Sequence, residues 1–126
     1  MLAALLLCGA SQAYAGDVFV ICNPGVSLQA GDVRDVFLGE KGFAGSVKLA
    51  PADNSATQAS FLEKALKLDA AKYSGIWTKK SFRDGANPPQ VKSSDAEAIA
   101  YVKQTPGGCS YTSTAPGAGV VVIAKL

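Results

Sequence analysis

Apolar positions recur along the chain in two rhythms. Asp17 to Asn23 (DVFVICN) is a nearly continuous apolar run rich in β-branched residues and ending at Asn-Pro-Gly, which predicts a buried strand running into a turn. Val33, Val36 and Phe37 then fall at the spacing of one helical face, and Gly39 is placed to stop that helix. Ser46 to Ala50 (SVKLA) alternates polar and apolar and predicts a second strand. From Ser55 onward, Phe61, Leu62, Ala65, Leu66 and Leu68 form a helical stripe. Asp69 reads as the cap of a further helix carrying Tyr73, Ile76 and Trp77.

Phe82 to Val91 (FRDGANPPQV) holds too many Gly, Asn and Pro residues for a regular element and is expected to be a loop. Ser94 and Glu97 have the spacing of a capping box, opening a helix with Ile99 and Val102 that ends near Gln104. Pro106-Gly107-Gly108 breaks the chain before a brief strand, CSYTS. The last segment, AGVVVIAKL, is fully apolar at its centre and predicts a closing strand. Runs such as Val18–Ile21 and Val120–Ile123 are expected to be central or well covered, because continuous apolar strands need both faces buried. Strands alternating with helices define an α/β layered domain.

With 126 residues, 48% hydrophobic and 17% charged, the chain fits one folded domain. Twelve Lys and Arg against ten Asp and Glu, without a basic stripe, argue against nucleic acid as a partner. The absence of histidine removes the commonest metal ligand and general base, and no nucleophile–base pair is visible, so neither a cofactor nor an enzyme activity is expected. Residues 1–15 read as a signal peptide: a short apolar run, too short to span a bilayer, followed by Ala13-Tyr14-Ala15 as a cleavage site. Bulky Leu7 argues against lipid attachment at Cys8. The mature chain, 16–126, is then a single domain of the periplasm or the secreted medium, with no transmembrane segment. It keeps Cys22 and Cys109, which by themselves fit either a disulfide or two separately buried thiols.

The ordered set VFVICNPGVSLQAGDVRDVFLGEKGFAGSVKLAPAD, IWTKKSFRDGANPPQV and SSDAEAIAYVKQTPGGCSYTS resembles one lobe of the substrate-binding proteins of phosphate ABC transporters, from Val18 to Ser113. Family members run from a strand ending in Val-Asn to a helix closing in Ile-Phe-x-Gly, then to Arg-x-x-x-Ser-Gly-Thr and finally Pro-Gly-x-x-Gly-Tyr. The resemblance implies a three-layer α/β sandwich like one lobe of a type II periplasmic binding protein, with a mixed central sheet. It also sets the strand ending at Cys22-Asn23 near the strand after Pro-Gly, and so implies a Cys22–Cys109 disulfide.

In function, the resemblance implies a periplasmic solute-binding protein for phosphate or a similar oxyanion, held by Asn54, Ser55, Ala56 and Thr57 at the start of a helix. Two departures bear on this expectation. Only one lobe is present, and Pro51 stands where the family has its Arg, a loss of about 2–5 kcal/mol for a buried charged partner. Binding completed by self-association or by an envelope partner therefore stands beside a second expectation, a structural or interaction protein that keeps the lobe without the ligand. On that second reading Asn54 or Ser55 is simply the cap of its helix. Lys79, Lys80 and Arg83 read as a solvated basic face, Trp77 as core, and Asp53, Asp69 and Asp95 as turn or cap residues.

Overall fold

The computed structural model describes residues 16–126. The expected signal peptide, with Cys8, lies outside them. The chain forms β1 (Phe19–Cys22), a 3-10 turn leading into α1 (Val33–Phe37), β2 (Phe43–Ala44), β3 (Val47–Lys48) and β4 (Ala50–Asn54). There follow α2 (Gln58–Phe61, extended by π-helical Leu62–Leu66), α3 (Ala70–Asp84), β5 (Gln90–Lys92), α4 (Asp95–Gln104), β6 (Gly108–Thr112) and β7 (Val121–Lys125). One mixed sheet has the order β5-β4-β6-β1-β7, with β2 and β3 as a separate hairpin. β4 runs parallel to β5 and β6, whereas β1 is antiparallel to β6 and β7.

Side chains along β1 alternate, as the pleat requires. Val18, Val20 and Cys22 join the main apolar cluster with Phe37, Phe61, Tyr111 and Trp77. At its centre the Phe61 and Tyr111 rings stack at 3.8 Å and Phe37 meets both edge-on. Ile21 is fully buried outside that cluster, as are Ala98 and Val102 of α4, which packs on β6, β1 and β4.

Cys22 and Cys109 are direct cross-strand partners and form a disulfide, with Cα atoms 4.0 Å apart. The Asn23 N–H donates to the Gly108 carbonyl at 2.8 Å, which makes Cys22–Cys109 a non-hydrogen-bonded pair. That is the pairing in which opposed residues approach most closely.

Several boundaries differ from the sequence expectation. The strand expected over Ser46–Ala50 is a hairpin arm, and the strand of the main sheet in this region, flanked by β5 and β6, is β4, whose Pro, Asp and Asn all disfavour strand structure. Pro51 is accommodated because N–H groups alternate sides. Ala50 donates to Gly107 on the β6 side, so position 51 faces β5, whose pairing begins only at Ala52. The expected loop is shorter, since α3 runs to Asp84 and β5 takes Gln90 and Val91. β7 is an edge strand rather than a covered one: among the described strands it pairs with β1 alone, and Val121 is 39% and Val122 44% exposed.

Gly107 marks a close approach that only glycine allows. It has φ +80°, and a Cβ there would lie 2.0 Å from the Lys48 carbonyl oxygen. Gly107→Ala is expected to cost about 2–4 kcal/mol, because backbone must move as well as adopt a disfavoured φ. Urea denaturation checks this, and a midpoint equal to that of the parent protein would contradict it.

Candidate functional site

The carboxyl ends of β4 and β6 and the start of α4 meet at one edge of the sheet. This is where open α/β sheets carry ligands, and all four expected site residues lie there. Their donors are already engaged. The Ser55 N–H donates to the Lys92 carbonyl at 2.8 Å, the Ala56 N–H to Asn54 Oδ1 at 3.1 Å, and the Thr57 N–H to the Asn54 carbonyl at 3.0 Å. Asn54 is therefore an Asx-turn residue in the turn before Thr57 and Gln58, rather than the N-cap of the helix. Thr57 takes the cap position without a side-chain bond to the helix, and Ser55 points an exposed side chain outward.

The side chains converge on Asp95. Asn54 Nδ2 and Thr57 Oγ1 donate to its Oδ1 at 2.7 and 2.9 Å. The Ser113 N–H and hydroxyl donate to Oδ2 at 3.0 and 2.7 Å, with the Thr114 hydroxyl at 3.3 Å. Burial pushes the Asp95 carboxyl up, but hydrogen bonds from Ser113, Asn54 and Thr57 outweigh it and hold the group below its ordinary value. Asp95 sits just inside the capping pattern foreseen for α4, in which Ser94 Oγ accepts from the Glu97 N–H and Glu97 accepts from the Ser93 N–H. A carboxylate is itself an oxyanion, and here it occupies the place where the donors point.

Asp53 departs from the expected turn residue. It lies inside β4, 3% exposed, and accepts from Tyr111 at 2.7 Å and from Tyr73 at 3.0 Å to each oxygen. Burial pushes its carboxyl up, partly offset by the Tyr111 and Tyr73 hydrogen bonds. Nothing local in Pro-Ala-Asp-Asn signals this, because the tyrosines come from α3 and β6. Asp69, by contrast, caps α3 as expected, accepting from the Lys72 N–H at 2.8 Å. Trp77 is core, donating to the Phe37 carbonyl at 3.1 Å. The basic residues after it are partly neutralised, Lys80 by Glu40 at 2.9 Å and Arg83 by Asp84 at 3.1 Å.

A cleft of about 670 Å³ opens beside Ser55, but Ala59, Leu62, Leu68 and Ala70 give it a mainly apolar wall, and its Glu63, Lys67 and Asp69 carry both signs of charge. Among the described residues no group of His, Cys, Asp or Glu gathers to hold a metal, and no helix is long and apolar enough to cross a membrane. Neither a family model nor a curated protein matches the chain.

Proposed function

We propose that this is an interaction protein of the cell envelope or secreted medium, built on a three-layer lobe like that of the phosphate-binding proteins, in which an internal carboxylate has replaced the captured oxyanion. The observation that carries the reading is the convergence of Asn54, Thr57, Ser113 and Thr114 on Asp95. A free anion would have to displace that carboxylate and approach a negative charge, with Pro51 offering neither charge nor N–H in return. The buried disulfide supports an oxidising compartment.

Calorimetric titration with phosphate and with sulfate tests the reading. No saturable heat is expected at millimolar anion. Submillimolar binding that Ser55→Ala weakens would overturn the proposal in favour of oxyanion capture.

A further inference from the structure

Asp53 raises a separate question, because buried carboxylates are ordinarily paired with a cation or fully hydrogen-bonded. Its carboxylate has about four acceptor sites and receives two hydroxyl protons, those of Tyr73 and Tyr111. Among the described residues no Lys or Arg forms an ion pair with it. Asp53 and Tyr73 line a cavity of about 390 Å³ between β4, α3 and the loop before β5, with Trp77, Ser74, Pro88 and Val91 among its other walls. That volume lies within the range of small-molecule sites. Asp53 is the one carboxylate in the lining, which contains no Lys or Arg.

We propose that this cavity binds a small organic monocation, an alkylammonium or alkylguanidinium compound, with its charged head on Asp53 and its alkyl part against Trp77 and the prolines. The chemistry on each wall fits that class. A cation supplies the donor protons and the positive charge that the two phenols do not. Trp77 and Tyr73 put aromatic rings, whose faces attract cations, in the lining, and the apolar surface of Val91, Pro88 and Pro89 covers a short alkyl chain. Burial of the carboxylate, which by itself disfavours ionisation, is offset when a cation enters. A small anion meets the opposite balance and is repelled. The inference stands apart from the oxyanion question, since Asp53 takes no part in the Asp95 cluster.

The chain contains one tryptophan, so its fluorescence reports on this wall of the cavity. The protein is titrated with n-butylammonium and n-butylguanidinium, with n-butanol as the uncharged control and butyrate as the anionic one. Saturable changes in Trp77 emission at millimolar or lower cation are expected, at least about tenfold tighter than butanol, with none from butyrate. Asp53→Asn is expected to remove the preference for the cation over butanol. Ser74→Phe, at an exposed position of α3 with no hydrogen bond to Asp53, is expected to block both ligands, and it decides the matter should the Asp53 variant not fold. Absence of saturation by either cation, equal affinity for butanol, or cation binding unchanged in Asp53→Asn or in Ser74→Phe would each overturn the proposal.

Discussion

Replacing Cys22 and Cys109 together by alanine is expected to lower stability by about 4–5 kcal/mol, the largest effect of any change considered. The bridge joins residues 87 apart in sequence, so its loss returns nearly the whole domain's chain entropy to the unfolded state. For a domain of this size that corresponds to a fall in melting temperature of about 15–20 °C. Differential scanning calorimetry of the variant and of the reduced parent should agree within a few degrees. A fall of only a degree or two in both would mean that the strands hold their register without the bond. Both cysteines are fully buried in the main apolar cluster, so slow reduction of the native protein, fast only in denaturant, is the companion expectation.

Asp95→Ala is expected to cost about 2–3 kcal/mol, less than its five contacts would sum to, because the carboxylate is partly exposed and water replaces some of them. The cost should depend on pH in a definite direction. The folded carboxyl lies below the ordinary value of 3.8, so its contribution is fully present above that pH and is lost as pH falls through the folded value. Asp53 acts in the opposite sense. Its raised folded value makes protonation easier in the folded protein, so it adds stability as pH falls, in parent and variant alike, and masks part of the Asp95 loss when the parent is measured by itself. Subtracting urea-unfolding free energies of parent and Asp95→Ala across the acid range isolates the Asp95 part. A difference that grows toward acid would contradict the assignment.

The sequence made legible what local chemistry decides. Asp69 and the Ser94–Glu97 box open helices because a short side chain meets a free N–H within three residues. Val33, Val36 and Phe37 share a buried face because helical spacing alone puts them there. The Cys22–Cys109 pair came from resemblance rather than spacing, and the register confirms it. What stayed hidden depended on distant partners. Pro51 to Asn54 has the composition of a turn, yet it is held as a strand by β6, by β5 and by side-chain bonds to Tyr73, Tyr111 and Asp95. The apolar run of β7 resembles that of β1, and only the strand order separates a covered strand from an edge. At the site, residue positions were legible, but the acceptors that occupy their donors come from β5, α4 and β6, far away in sequence, or from the preceding turn.

Strand order also sets a timetable for folding. Both neighbours of β1 come late in the sequence, β6 at Gly108–Thr112 and β7 at Val121–Lys125. At about 5–20 residues per second of synthesis, β1 waits roughly 4–20 s for its first partner. Through that interval Phe19–Cys22 is an unpaired apolar strand with a reactive thiol at its end, the kind of segment that joins other chains. The sheet therefore closes only after nearly all of the described chain has been made, and binding of β1 by a holding chaperone would shield it until then.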